Sequence, residues 1–505
     1  MPESTLLMNV EPAETRVALV EEGVLAELHV ERETDRSIVG NIYLGTVSRV
    51  MRGMQAAFID IGLERHAFLQ VGDSVRPEDM KALGGASDDE PHGSLRVSKQ
   101  TPIGQVLQAG QDVLVQVTRA PTGTKGPRVS SHVSIPGRYL VYLPTLDQIG
   151  VSHRITDDAE RQRLREVIES LRTGGGYIVR TVAAGKPREV LAREIEHLAL
   201  MWSDILDRRS GLTPPAAVYS DLDLALRATR DLVNDDVRLV VDDGDTFVRI
   251  ESFVRKFLPE ATGRISLHEG HEPLFDAHGI EGLVQRALAR VIPLPSGGTL
   301  IIDHAEALTA IDVNTGRFAG GRDLEDTITR TNLEAVAELA SQIRLRNIGG
   351  LIVVDFIDME RAENRDKVNR ALQEAVQRDR AHTTVNQISD LGLVEMTRHG
   401  TNQGLALQLC EPCQYCDGTG RLRSRATVCC DLLREIRRKA VLVRAPRLVV
   451  ECHPEVAALL GREYHHPLAQ LERRLATEIE VRDRPDFHLE RFDITGGGKH
   501  GQETA

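Results

Sequence analysis

Two aspartates, Asp312 in LTAIDVNTG and Asp355 in GGLIVVDF, each follow a short apolar run of the kind that forms a buried strand. Carboxylates so placed could hold one hard cation. Mg²⁺ takes oxygen ligands at about 2.0–2.1 Å and keeps several waters, so one or two protein carboxylates suffice. Asn314, two residues beyond Asp312, points to the same side of an extended chain and could add an amide oxygen or a substrate contact. The same aspartates could equally be turn-forming residues solvated at strand ends. Cys410, Cys413 and Cys416 in LCEPCQYCDGTGR repeat the C-x₂-C spacing of a zinc half-site. Arg180 and Thr181 in GGGYIVRTVAAG put a guanidinium fork beside a hydroxyl, a combination suited to phosphate oxygens but also common as an exposed strand pair. Phe58 and Phe68 are two of few aromatics in a chain with 4% of them. They could stack bases, each stack contributing ~1–3 kcal/mol, or fill the core of a small barrel.

The elements that must position these residues follow from periodicity. Between the two aspartates, Leu333, Val336, Leu339, Ala340 and Ile343 share one helical face, with Asp323 as N-cap and Gly349–Gly350 as the stop. Strand, helix, strand implies a right-handed crossover between parallel strands. Both aspartates then lie at carboxyl ends of strands, where open α/β sheets keep their sites. Toward the N-terminus, residues 16–32 alternate as a hairpin around Glu-Glu-Gly, and 40–73 read as short strands between glycine turns. Residues 76–102 are polar and aperiodic, an exposed insertion, after which 110–119 resume as a strand. A charged helix is expected at 157–172 and a strand at 174–185. Residues 216–290 alternate strands (VRLVVDD, TFVRIESFV) with helices, Asp242 and Asp243 forming a DDG turn. Beyond 424, a basic helix with Arg434, Arg437, Arg438 and Lys439 opens a small α/β domain, and 496–505 read as a disordered tail.

The bulk numbers bound the function. With 505 residues and 41% hydrophobic content the chain is globular, and no run approaches the ~18 apolar residues of a membrane span. The opening MPESTLLMNVEPAETR has neither the basic nor the apolar region of a secretion signal. All six cysteines fall between 410 and 452, which does not read as a disulfide framework, so a cytoplasmic location is expected. A net charge of −13 argues against coating nucleic acid by bulk attraction and leaves room for local basic strips.

IDVNTG, followed by TNLEA, QIRLRNIGGLIVVDFIDM and LGLVEMTR, resembles the catalytic domain of the bacterial ribonuclease E/G family of endoribonucleases. The resemblance runs in order from about residue 8 to 495, and is nearer the G branch because the long C-terminal half of the E branch is missing. It implies an α/β (α+β) multidomain fold. Residues 1–36 and 221–288 would form an RNase H-like subdomain, 37–122 an S1-type OB barrel, and 123–220 a 5′ sensor. Residues 289–408 would form a DNase I-like catalytic subdomain, 409–423 a zinc link and 424–495 a small dimerisation domain. By the same resemblance Asp312, Asn314 and Asp355 hold the catalytic Mg²⁺ and its surroundings, Phe58 and Phe68 contact RNA, and Arg180 and Thr181 line a pocket for a 5′-monophosphate. One departure stands out: where the family places Arg or Lys at the end of its DRxR or DRxK motif, this chain has DRAH and His382.

The family also shares one Zn²⁺ between CPxC pairs of two protomers. The matching residues are Cys413 and Cys416, with Gln414 in place of proline. Rival readings are a zinc within one chain, recruiting Cys410 and Cys429 or Cys430, and a single copy of the CxxCxGxG unit that chaperone zinc domains repeat four times. The implied activity is Mg²⁺-dependent cleavage of single-stranded RNA in rRNA and mRNA processing and decay, leaving 5′-phosphate and 3′-hydroxyl ends. The implied assembly is a homodimer that can pair into a tetramer. The alternative from another class is a non-catalytic RNA-binding scaffold, in which the carboxylates are structural.

Overall fold

The computed structural model describes residues 4–73, 102–121, 125–234, 236–315, 324–389, 391–400, 404–443 and 445–497. The Asp323 cap, the 76–102 insertion apart from Pro102, and the tail beyond 497 lie outside the described residues. The chain divides into two units, Met1–Gln408 and Leu409–Ala505.

In the first unit, strands Glu14–Glu21 and Val24–Arg32 pair antiparallel around Glu22 and Gly23, whose φ values of 53° and 80° fit the tight turn that matches strand twist. The preceding strand Ser4–Val10 flanks this hairpin and runs parallel to Val237–Val241, which in turn runs parallel to Ile265–Leu267. One five-stranded sheet therefore joins segments more than 200 residues apart. TFVRIESFV, expected as a strand, lies inside the helix Gly244–Phe257. Its β-branched and aromatic residues mislead, whereas Ile250 and Val254 at i, i+4 bury one face and Asp243 caps the first turn through Thr246 N–H. Asp242 is likewise no simple turn residue, because its carboxylate accepts from Asn9 Nδ2 and the Val10 N–H at the end of the first strand.

Strands Ile42–Met51, Ala56–Asp60, Ala67–Gln70, Arg128–Ser130 and Asp112–Arg119 close into a five-stranded OB-like barrel, the first of them pairing with both the second and the last named. The Arg128–Ser130 strand lies beyond residue 122, where the sequence reading ended the barrel. Next in the chain, strands Ile135–Pro136, Leu140–Leu143, Ile149–Val151 and Gly176–Val179 form a four-stranded sheet. Helices Asp158–Leu171 and Arg188–Ser210 share its core.

The sheet carrying the paired aspartates has six strands, ordered Val291–Pro293, Thr299–His304, Thr309–Asn314, Gly350–Asp355, Leu393–Arg398, Thr383–Val385. The Thr309–Asn314 and Gly350–Asp355 strands are its parallel pair, joined by the helix Leu324–Leu345 as the crossover requires. Val336, Leu339 and Ile343 are buried against the sheet, and Leu333 is partly buried beside them. The helix stops not at Gly349–Gly350 but at Asn347, whose φ of 49° takes the left-handed conformation. Gly350 instead begins the next strand.

The second unit has a three-stranded sheet. Arg447–Cys452 runs parallel to Glu478–Asp483 and antiparallel to Phe492–Gly497, so Gly496 and Gly497 belong to a strand. Helices Arg425–Val443, Pro454–Arg462 and His465–Leu475 complete it. Among the described residues no helix is long and apolar enough to cross a membrane.

Candidate active site and RNA contacts

Asp312 and Asp355 stand opposite each other in the register of the parallel pair. Alternation sends both to one face: Thr309, Ile311 and Val313 are buried, whereas Ala310, Asp312 and Asn314 are exposed. Adjacent strands lie about 4.8 Å apart, so the two carboxyls are neighbours. Asn314 Nδ2 donates to Asp312 Oδ2 at 2.6 Å. The Asp355 carboxyl is pushed above the usual carboxylate range, first by burial and then by the charges of Asp312 and Asp358. Such mutual repulsion suits a divalent cation, and the donor set of carboxylate and amide oxygens is that of a hard metal. Among the described residues no group of three or more His, Cys, Asp or Glu side chains is arranged to hold an ion alone. A cation here would therefore complete its shell with water or phosphate oxygens.

The strand end is held from below. Asn332, fully buried in the crossover helix, donates to the Ile357 carbonyl at 2.8 Å and accepts from the Ile357 N–H at 3.1 Å. Glu325, two turns earlier, accepts from the Glu360 and Arg361 N–H groups and from Asn364. Sequence reasoning missed these supports and Asp358, although Asn332 lies in the TNLEA motif and Asp358 in DFIDM.

On the barrel, Phe58 and Phe68 are cross-strand partners with ring centroids 5.9 Å apart and planes at 68°. Both are half-buried, while their sequence neighbours Ala57, Ile59, Ala67 and Leu69 form the core. The two rings thus belong to the barrel's outer face. Exposed Arg49 stands opposite Phe58, and Arg128, opposite Phe68, is tied to Asp73 and Gln70.

Arg180 follows the Gly176–Val179 strand, and its Nη1 donates to the Gly137 carbonyl at 2.7 Å and to Asp231 Oδ1 at 2.8 Å. Thr181 Oγ1 lies 3.0 Å from Ser152 Oγ at an exposed position. The counter-charge Asp231, which also binds Arg230, gave no sequence signal. His382 lies beside His399, ring to ring at 6.1 Å. The DRAH guanidinium whose charge bears on Arg138, next to this site, is Arg380, and Arg154 donates to the Arg380 carbonyl.

In the second unit, Cys413 and Cys416 lie together. The backbone N–H groups of Tyr415 and Cys416 and the Cys416 side chain hold the Cys413 thiol below its usual range. The Gly420 N–H donates to Cys416 Sγ at 3.3 Å. N–H groups aimed at sulfur favour thiolate, the form that binds zinc. Cys429 is fully buried in the apolar core, and burial pushes its thiol up to about 11.

Residues 134–401 match the model of the Ribonuclease E/G family, and 412–497 match its thioredoxin-like domain. The chain is 41% identical over 491 residues to Ribonuclease G of Salmonella typhimurium (strain SL1344), covering 97% of this chain and 99% of that one. It is 40% identical over 492 residues to Ribonuclease G of Haemophilus influenzae, covering 97% and 98%. To Ribonuclease E of Escherichia coli (strain K12) it is 33% identical over 505 residues, covering 97% of this chain and 46% of that one.

Proposed function

The chain belongs to the ribonuclease E/G family, and on that premise we propose that it is a Mg²⁺-dependent endoribonuclease cutting single-stranded RNA. The observation that carries this reading is the registered, same-face pair Asp312 and Asp355 on adjacent parallel strands. Their carboxylates would hold the cation, with Asn314 orienting Asp312 through its 2.6 Å hydrogen bond. When bound, the metal would supply charge stabilisation at the scissile phosphate and a water of lowered pKa. The chain's own residues do the rest. Phe58 and Phe68 offer rings to unstacked bases, holding the strand single. Arg180 and Thr181 bind a terminal 5′-monophosphate, which gives preference for substrates that carry one. Cleavage leaves 5′-phosphate and 3′-hydroxyl ends and serves rRNA and mRNA processing and decay.

The first 36 residues and 221–288 act as an RNase H-like subdomain without its catalytic set, 289–408 as a DNase I-like catalytic subdomain, and 424–495 as the dimerisation domain. Cys413 and Cys416 of two protomers share one Zn²⁺, since a closed tetrahedral site needs four ligands and each chain supplies two. We place the protein in the cytoplasm.

The test is a 5′-monophosphorylated A/U-rich oligonucleotide incubated with the purified protein in Mg²⁺ or in EDTA. Cleavage in Mg²⁺ alone is expected; binding without cleavage in either would replace this reading with that of an RNA scaffold. Zinc analysis with native mass tests the link: one zinc per two chains is expected, and loss of both zinc and dimer when Cys413→Ser and Cys416→Ser are combined. One zinc per chain, with the dimer surviving, would refute the shared site.

A further inference from the structure

The carboxyl group of Glu194 takes no part in the chemistry above, yet it is turned onto the loop that carries the Arg180 contact. Glu194 projects from the Arg188–Ser210 helix. Its Oε1 accepts from the Arg138 N–H at 2.5 Å and the Tyr139 N–H at 3.1 Å, and its Oε2 from the Tyr139 N–H at 2.9 Å. A Cβ on residue 137 would stand 2.7 Å from Oε1, so the loop reaches the carboxylate because Gly137 has none. The carbonyl side of the same loop is held by two arginines. Arg230 donates to the Pro136 carbonyl at 3.1 Å and Arg180 to the Gly137 carbonyl at 2.7 Å, and both arginines share Asp231. Burial pushes the Glu194 carboxyl up to about 7 against the pull of the N–H groups it receives. A carboxylate costs stability in such a place unless its hydrogen bonds are made, and here those bonds go to the backbone that grips Arg180.

We propose that Glu194 is a positioning residue for the 5′-end pocket: by fixing residues 136–139 it aims the Arg180 guanidinium at a terminal phosphate. This rests on the assignment of Arg180 to 5′-monophosphate binding. Glu194→Gln keeps the side chain's shape and one oxygen but turns the second acceptor into an NH₂ facing the Tyr139 N–H. In the full-length protein, kcat and KM are measured on one oligonucleotide with either a 5′-monophosphate or a 5′-hydroxyl. The ratio of kcat/KM between the two ends should fall about fivefold, mainly through KM, because small misplacements of a binding group are costly. Combining Glu194→Gln with Arg180→Ala should lower the ratio no further than Arg180→Ala alone. General loosening would slow both substrates alike and leave the ratio in place.

A wild-type ratio in Glu194→Gln, with Arg180→Ala lowering it, overturns the role of Glu194 and leaves the pocket standing. Additive losses in the double variant do the same. A ratio untouched by Arg180→Ala removes the pocket and this inference with it. If thermal melting shows Glu194→Gln unfolded, Gly137→Ala, whose Cβ displaces the same carboxylate, is judged by the same criteria.

Discussion

At Asp312 and Asp355 two like charges are set side by side on an exposed sheet face, with Asp358 adding a third nearby. At Arg180 the charge is already balanced, by Asp231, and the side chain is braced by the Gly137 carbonyl. In the first arrangement a bound cation would relieve the repulsion between the carboxylates. The second is balanced as it stands, so a phosphate bound there would have to compete with the Asp231 carboxylate. A site of the first kind would gain affinity from its ligand's charge; one of the second kind would gain discrimination, because its ligand has to outbid the internal partner.

The largest effect should come from breaking the first arrangement. Asp312→Asn or Asp355→Asn removes a charge from the proposed two-carboxylate metal site and should lower cleavage on the order of 10³-fold while RNA binding, read by filter retention, survives. Full activity at ordinary Mg²⁺ in either variant would show that these carboxylates are structural. Phe58→Ala or Phe68→Ala should weaken binding about tenfold for either 5′ end, since base stacking is blind to the terminus. Unequal effects on the two ends would place these rings at the pocket rather than along the strand. Arg180→Ala should separate the two ends instead, reducing cleavage of 5′-monophosphorylated RNA about tenfold more than that of 5′-hydroxyl RNA. Equal slowing would make Arg180 a bracing residue only.

The smallest expected effect isolates the repulsion itself. The Asp355 carboxyl is raised in the folded state, so the fold holds its proton more tightly than the unfolded chain does. Its contribution to stability is therefore greatest below the ordinary Asp value and falls as pH rises through the raised one. In EDTA, the melting temperature of Asp355→Asn should exceed wild type by roughly one or two degrees above pH 6 and match it at acid pH. Saturating Mg²⁺ should reverse the order, because it binds only the charged pair. A difference independent of pH would mean that Asn acts through packing.

The sequence by itself determined whatever depends on short-range periodicity. Alternation over six residues places Asp312 and Asn314 on one side of a strand, and a strand–helix–strand run of ordinary length returns in parallel, whereas the sheet itself makes the two strands neighbours and sets Asp355 opposite Asp312. The C-x₂-C pair is fixed locally in the same way. Misreadings arose where local signals compete: TFVRIESFV has strand composition, but a cap at Asp243 and a buried stripe through Ile250 and Val254 make it a helix. Asn347, not the glycine pair, ends the crossover helix because an asparagine side chain tolerates the left-handed turn. Only the tertiary structure decided the rest. Whether Phe58 faces the barrel core or its outer surface depends on how five strands close, a parity that no single strand carries. The partners of Arg180 lie at Gly137 and Asp231, about 40 and 50 residues away along the chain, and Glu194 acts on it through a loop from a different helix. A carboxylate's neighbours across such distances are chosen by which elements pack together, and packing is a property of the whole core rather than of any stretch within it.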